Sequence, residues 1–126
     1  MSGYKFSFER LGVWQDAKNL AKKIYIDTSK FPTTEKYGII NQMQRAVISV
    51  SSNIAEGSSR KSHKDQARFY QIAYSSLMEL MSQIIICEDL SYMEKEVVEK
   101  YKDEIKPLSY GINALYNSCI RKTKEK

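Results

Sequence analysis

Ser59, His63 and Asp65 fall within seven consecutive positions, and they are the residue types that nucleophilic catalysis uses. A serine becomes a nucleophile when a histidine takes its proton and a carboxylate orients that histidine. Ser59 and His63 are four residues apart, but we place a turn between them, where this spacing does not guarantee that the side chains meet. The pattern also supplies neither an oxyanion hole nor a water-excluding cleft. We therefore predict no enzyme activity, and hydrolysis through His63 is the least favoured function.

The chain lacks the ligand sets of the common metal and cofactor sites. His63 is the single histidine, and Cys87 and Cys119 are the two cysteines. A di-iron bundle needs Glu-x-x-His pairs on facing helices, and a zinc site needs several clustered His or Cys ligands. No glycine-rich phosphate loop is present. We predict no metal and no cofactor, and we expect reduced, buried cysteines in a cytoplasmic protein.

The run "RKSHKDQAR" is strongly basic, with a single carboxylate opposing its cations. Lys64 and Arg68 lie one turn apart on a predicted helix whose N-terminus is itself positive. Converging cations and free backbone N–H groups suit phosphate. We assign phosphate contact to four residues of this run: Arg60, Lys61, Lys64 and Arg68. A solvated, charged turn is an equally weighted alternative.

The net charge of +5 is unevenly distributed. Residues 1–70 hold 12 Lys or Arg against 6 Asp or Glu, and residues 71–126 hold 8 against 9. A basic first half favours an anion-attracting surface, although charge that serves only solubility remains open.

Apolar residues recur every three or four positions along four segments, which is the spacing of helices with one apolar side. We place the helices at roughly 9–30, 34–56, 63–89 and 92–121, within a single domain spanning 1–126. Short links between long helices predict an all-α, antiparallel up-down-up-down four-helix bundle. No segment is apolar enough to span a bilayer, and the first residues lack the apolar core of a secretory signal.

Three residues near the end of the second helix have predicted structural roles. Asn53 lies on the apolar side, where a buried amide needs a hydrogen-bond partner and can set helix register. Glu56 faces the negative end of the helix dipole, so we expect it to clamp the hairpin by accepting from free N–H groups of the third helix, or from Arg60. Gly57 suits a left-handed C-terminal cap.

Helix boundaries are predicted from capping residues and proline. Thr33 or Thr34 is expected to cap the second helix. Ser62 is expected to cap the third, followed by Asp65 as in a capping box, and Ser91-x-x-Glu94 reads as a capping box that opens the fourth. Pro107 should kink the fourth helix without ending it.

The third helix carries two apolar seams. The main seam comprises Tyr70, Ala73, Leu77, Leu80, Ile84 and Cys87. The second comprises Tyr74, Met78, Met81 and Ile85. Because a monomeric bundle needs one seam per helix, we expect part of the second seam to face another subunit.

Several motifs in order resemble a known family. They are "FERLGVWQDA", "FPTTEKYG", "QMQRA", "NIAEGSSR" and "FYQIAYSSLMEL". Across roughly residues 6–120 the chain resembles the four-helix bundle proteins encoded in intervening sequences of bacterial large-subunit ribosomal RNA genes, often labelled S23 ribosomal protein. A related branch is the accessory variability protein of diversity-generating retroelements, which binds nucleic acid and a reverse transcriptase.

The resemblance implies a left-twisted bundle that forms a cytoplasmic homopentamer with an RNA-related role. It also implies a reverse transcriptase as partner if the gene lies in a retroelement. Relatives often carry two basic residues before the alanine of the second helix, whereas Gln44-Arg45 keeps one. Arg45 is therefore a weaker nucleic-acid candidate. Our main hypothesis is a non-catalytic oligomer that binds RNA or a ribonucleoprotein through basic residues, and the alternative is a protein-binding scaffold.

Overall fold

The computed structural model describes residues 2–125. Its four α-helices are α1 (Gly12–Thr28), α2 (Ile39–Ser59), α3 (His63–Asp89) and α4 (Lys95–Lys124). Short 3₁₀ helices at Ser7–Arg10 and Thr33–Glu35 precede α1 and α2. Within residues 2–125 no strand occurs, so the all-α prediction with four helices is confirmed.

Cross-helix contacts give the relative directions of the helices. The contacting pairs are Met43 with Cys87 and Ser49 with Ser76 between α2 and α3, and Lys23 with Glu104 and Asp27 with Tyr101 between α1 and α4. In both helix pairs one residue number rises as the other falls, so the helices run antiparallel. These directions are consistent with the up-down-up-down order, and the left-handed twist stays a prediction.

The four helices enclose one hydrophobic core. All six residues of the main α3 seam are buried in it. Cys87 and Cys119 are buried free thiols, as expected, and burial raises the pKa of Cys87 to about 11. The second α3 seam is divided: Tyr74 and Met81 are half-buried, whereas Met78 and Ile85 face solvent.

The second helix starts later and ends later than predicted. Gly38 precedes its first residue without a side-chain cap, and Thr33 and Thr34 belong to the 3₁₀ helix, so the predicted threonine cap is wrong. Gly57 lies inside α2, which continues to Ser59, and no glycine of residues 2–125 has a positive φ. The predicted left-handed cap is also wrong. A glycine is needed at this position because α3 packs closely against it.

The link from α3 to α4 differs from the predicted capping box. Ser91 has φ of 61° and follows the end of α3, where the Ser91 N–H bonds to the carbonyl of Glu88 and the Tyr92 N–H to that of Cys87. These two bonds form a Schellman motif with serine where glycine is usual. Helix α4 then begins at Lys95, after Glu94, which makes no side-chain cap.

A long-range anchor explains this delay. The Tyr92 hydroxyl donates to the Glu35 carboxylate at 2.8 Å, and its ring lies 5.3 Å from that of Phe31. Residues 92–94 therefore stay outside the helix so that Tyr92 can pack against the α1–α2 link.

Helix α4 continues through Pro107 to Lys124. Its continuity is as expected, and the kink at Pro107 stays a prediction. Among residues 2–125, none of the helices combines the length and the apolarity that crossing a bilayer requires.

Candidate nucleic-acid interface

Residues 60–62 form the turn that joins α2 to α3. Arg60 has an extended backbone (φ −72°, ψ 151°), which takes the chain out of α2. The Ser62 hydroxyl accepts a hydrogen bond from the Asp65 backbone N–H at 3.1 Å, so the predicted serine cap of α3 is confirmed. The Asp65 carboxylate does not complete a capping box, because it bonds two arginines instead.

Asp65 is the centre of an ion-pair cluster. Arg60 Nε lies 2.6 Å from one carboxylate oxygen, and Arg68 Nη2 lies 3.1 Å from the other. Hydrogen bonding, first from Arg60 and then from Arg68, holds the pKa of Asp65 below its usual value. Asp65 is therefore ionised at neutral pH, and it neutralises part of the charge that the two arginines contribute.

Of the two partners predicted for Glu56, the structure shows Arg60 and not the backbone of α3. The exposed Glu56 carboxylate lies 3.9 Å from Arg60 Nη1, and within residues 2–125 no backbone N–H of α3 bonds to it. The reason is that α2 runs on to Ser59, which leaves Glu56 facing solvent on the last turn. An exposed pair at this distance contributes little to stability.

The ring of Phe69 holds both arginines in place. The guanidinium carbon of Arg60 lies 5.2 Å from the ring centroid, and that of Arg68 lies 4.6 Å from it. Cations at these distances are attracted to an aromatic face. Arg60 and Arg68 are thus restrained by Phe69 and Asp65, and a phosphate would have to compete for them.

Lys61 and Lys64 are less constrained. Both side chains are exposed, and no carboxylate of residues 2–125 lies within 4.0 Å of either ammonium group. They flank the first turn of α3, where the helix dipole adds positive potential. Of the predicted residues, these two are the best placed for a phosphate.

The C-terminal part of α4 adds cations that the sequence analysis missed. Cys119 Sγ lies 3.6 Å from Gln66 Oε1, which places the end of α4 beside the start of α3. Arg121, Lys122 and Lys124 follow and are exposed. The predicted up-down-up-down order already placed the end of α4 beside the start of α3. This order was the signal that could have identified the α4 cations. We call residues 56–68 and 121–125 the basic end; together they hold seven Lys or Arg against three Asp or Glu.

The opposite end of the bundle is not basic. The contact between Phe31 and Tyr92 brings the α1–α2 and α3–α4 links together there. Residues 27–38 hold two cations and two anions, and residues 88–96 hold one cation and four anions. Charge placed only for solubility would not need this separation along the bundle, so the asymmetry favours an anionic partner at the basic end.

Arg45 is not part of the basic end. It is exposed on α2, 14 residues before Ser59. At the rise of an α-helix this separation corresponds to about 21 Å. The structure therefore does not bring Arg45 together with the other predicted residues.

Asn53 makes its hydrogen bonds within α2. Its amide donates to the Ser49 carbonyl at 2.8 Å and to the Ser49 hydroxyl at 3.0 Å. The polar contact across to α3 is made by Ser49, whose hydroxyl lies 2.8 Å from that of Ser76. Asn53 therefore orients Ser49. The polar contact between α2 and α3 that was predicted for Asn53 is made by Ser49 and Ser76.

Ser59, His63 and Asp65 do not assemble into a catalytic group. The Ser59 hydroxyl donates to the Glu56 carbonyl at 2.7 Å. His63 Nδ1 lies 3.0 Å from Gln66 Oε1, and the residue is half-buried. In residues 2–125 no group of three or more potential metal ligands occurs.

A family model for 23S rRNA-intervening sequence proteins matches residues 9–114. No curated protein matches the chain. Among solved structures, the chain is similar to a crystal structure from Bacteroides thetaiotaomicron, described as a protein with unknown function from the S23 ribosomal protein family. The TM-score is 0.73 at 19% identity, over 82% of this chain and 97% of that chain, and at this identity the likeness shows the fold alone. Because the family model spans most of the sequence, the protein belongs to the 23S rRNA-intervening sequence protein family.

Proposed function

We propose that the protein binds RNA or a ribonucleoprotein, without catalysis, through phosphate contacts at its basic end. The observation that carries the proposal is the pair Lys61 and Lys64, exposed and without a carboxylate partner in residues 2–125, at the N-terminus of a 27-residue helix. A phosphate at this position meets two ammonium groups and the positive end of the α3 dipole.

The remaining cations have secondary roles. Arg60 and Arg68 contribute only when a phosphate displaces part of their contact with Asp65. The α4 cations widen the positive surface, and Arg45 offers a separate, weaker contact about 21 Å along α2. All these contacts are to the backbone of the nucleic acid, so little sequence specificity is expected.

Oligomerisation would strengthen a weak site. The exposed Met78 and Ile85 of the second α3 seam support a contact between copies of the chain. A homopentamer, which the family resemblance implies, would present five basic ends and gain affinity through multivalency. Electrostatic binding by one copy alone would be weak at physiological salt.

The test is a titration of a labelled structured RNA, followed by fluorescence anisotropy across a salt series. Replacing Lys61 and Lys64 by Ala should lower affinity and reduce the slope of log affinity against log salt by about 2. The matched control is Lys36→Ala with Lys95→Ala, which removes two charges from the opposite end and should leave binding unchanged. Equal binding by the wild type and the Lys61/Lys64 variant would refute the assignment.

A protein-binding scaffold is the second candidate. Exposed aliphatic side chains at Ile48, Ile72 and Ile86 favour it, because they lie outside the second seam and offer further apolar surface to a partner. If this function is correct, RNA binding at physiological salt will be weak and independent of RNA length. A reverse transcriptase is the partner to test if the gene lies in a retroelement.

A further inference from the structure

A ladder of aromatic rings precedes α1. The Tyr4 and Phe6 rings meet edge to face at 5.1 Å, and the Phe6 and Phe8 rings stack at 6.2 Å with 14° between their planes. Phe8 then meets Trp14 edge to face at 4.9 Å. The two inner rings are half-buried against the bundle, whereas Tyr4 is 71% exposed and Phe6 is 60% exposed. The outer rings thus pack on the inner ones and are largely exposed to solvent.

Backbone hydrogen bonds fix the segment that carries the ladder. The Phe6 N–H donates to the Glu9 carboxylate at 2.8 Å, and the Glu9 N–H donates to the Phe6 carbonyl at 3.0 Å. Gln15 Nε2 donates to the Glu9 carbonyl at 2.7 Å, which ties the 3₁₀ helix to α1. Because residues 6–15 are already tied together, a ligand that stacks on Phe6 loses little conformational entropy of this segment on binding.

Cations surround the rings. Lys18 Nζ lies 5.4 Å from the centroid of Trp14. Lys5 lies between the two outer rings in sequence, and Arg10 ends the 3₁₀ helix. In residues 2–125 no carboxylate lies within 4.0 Å of the charged group of any of the three. The Glu9 carboxylate accepts a hydrogen bond from the Phe6 N–H and forms no ion pair with these cations.

This combination suits unpaired nucleotides. Proteins that bind single strands place aromatic faces for base stacking beside cations for the phosphates. A contact between copies of this chain is served better by the exposed aliphatic face of α3. The phosphates of a duplex would use the cations but would leave the rings without a partner, since paired bases stack on one another.

The ladder lies in the same half of the bundle as the basic end. The 3₁₀ helix Ser7–Arg10 packs against α2 as well as α1. Thr28, at the end of α1, receives a hydrogen bond from Gln44, near the start of α2, so the start of α1 lies toward the end of α2. One RNA can therefore reach both surfaces.

We infer that Tyr4 and Phe6 stack on unpaired bases of an RNA whose backbone contacts the basic end. The inference rests on the proposed RNA binding and narrows the ligand to RNA with a single-stranded segment next to a structured one. The two residues act by base stacking and are not expected to read sequence.

The experiment compares two hairpin RNAs that differ only in a short 3′ tail. One tail is made of ordinary nucleotides and the other of abasic sites, so that the phosphate charge is the same. Wild-type protein should bind the nucleotide tail about tenfold more tightly per stacked base. In Tyr4→Leu/Phe6→Leu this preference should disappear, while affinity for the abasic-tailed hairpin and its salt slope stay unchanged.

Leucine keeps an apolar side chain at each position and removes only the aromatic ring. Both positions are too exposed for the change to unfold the bundle, and circular dichroism of the variant checks that it is folded. Tyr37→Leu, at an 86% exposed aromatic in the α1–α2 link, is the matched control and should keep the preference.

Equal binding of both tails, or a preference that survives in the leucine variant, refutes the stacking site but leaves the RNA-binding proposal standing. If neither hairpin binds at physiological salt, both proposals fail. A changed oligomeric mass in the leucine variant would assign the rings to a contact between copies and would also refute the stacking site.

Discussion

Gly57 of α2 lies directly against the ring of Tyr70 on α3. A Cβ atom added at Gly57 would lie 2.8 Å from Tyr70 Cε1 and 3.1 Å from Phe69 Cβ. Both distances are too short for carbon atoms in contact, and the buried Tyr70 ring has little room to move. The absence of a side chain at this position is what lets the two helices approach just before the turn.

Gly57→Ala should therefore destabilise the protein. Crowding in a packed core costs roughly 1–3 kcal/mol, and the better helix propensity of alanine offsets about 1 kcal/mol of it. A urea titration measures the net loss. Gly12→Ala is the matched control, because Gly12 opens α1 with no atom within 4 Å of an added Cβ and should be neutral or stabilising. Equal stability of the two variants would contradict the close packing at Gly57.

Ser91→Gly should stabilise the protein. Ser91 has a positive φ, which costs a residue with a side chain about 1–2 kcal/mol. Glycine relieves this strain, but its larger conformational entropy in the unfolded chain offsets part of the gain. A net increase of roughly 0.5–1 kcal/mol in the free energy of unfolding remains. Ser91→Ala keeps the Cβ atom and should show no gain in the same thermal or urea titration. If the glycine variant is less stable than the wild type, the left-handed conformation at this position is wrong.

Asp65→Asn should increase RNA affinity, whereas replacing Lys61 and Lys64 by Ala should lower it. The substitution removes the negative charge that Arg60 and Arg68 share, so both guanidinium groups become available to phosphate. We expect affinity to rise several-fold and the salt slope to steepen by up to about 2. Asp89→Asn, at the end of α3, removes one charge from the opposite end and should have no such effect. Unchanged affinity in Asp65→Asn would exclude the two arginines from the interface.

Alkaline pH should destabilise the bundle. Burial raises the pKa of Cys87 from 9.0 to about 11 and that of Tyr70 from 10.0 to about 12, and burial together with the Asp27 hydrogen bond also raises the pKa of Tyr101. At a pH between the unfolded and the folded pKa of each group, the unfolded chain loses a proton that the folded chain keeps. The free energy of unfolding is therefore fully retained below pH 9 and falls as pH rises toward 12.

Urea midpoints measured at pH 7, pH 9 and above pH 10 test this dependence. The ultraviolet absorbance of tyrosinate is a second measurement, because Tyr70 and Tyr101 should ionise at a higher pH in the folded protein than in the unfolded chain. A midpoint that stays constant up to pH 11 would show that these groups are accessible to solvent in the folded state.

Met78→Lys with Ile85→Lys should reduce the oligomeric mass measured by light scattering, if the second α3 seam joins copies of the chain. Two buried ammonium groups at such a contact would be costly. Ile26→Lys, at a 58% exposed position of α1, is the matched control and should leave the mass unchanged. A wild-type protein that is monomeric at micromolar concentration would refute the oligomer itself.

Helix number, the main apolar seam of α3 and the burial of both cysteines followed from local spacing. Side chains three and four positions apart share a helix face, and a sequence displays that period directly. The bounds of α3 were predictable for the same reason, since Ser62 caps its own helix. The basic run at residues 60–68 was visible as composition, although its charge balance was not.

Contacts between residues far apart in the chain decided the rest. Gly57 was predicted to cap a helix because its contact with Tyr70 exists only in the folded bundle. Ser91 was predicted to cap α4 because the Tyr92–Glu35 hydrogen bond, which joins residues 57 positions apart, cannot be recognised from local sequence. Arg60 and Arg68 are nearer in the chain but looked free, since the turn brings Arg60 onto Asp65 and Arg68 reaches the same carboxylate from three positions along α3. Their engagement shifted the favoured phosphate contacts to Lys61 and Lys64. The α4 cations joined the same surface only through antiparallel packing. Local periodicity fixes which face of a helix is apolar, but distances across the bundle depend on how all four helices pack together.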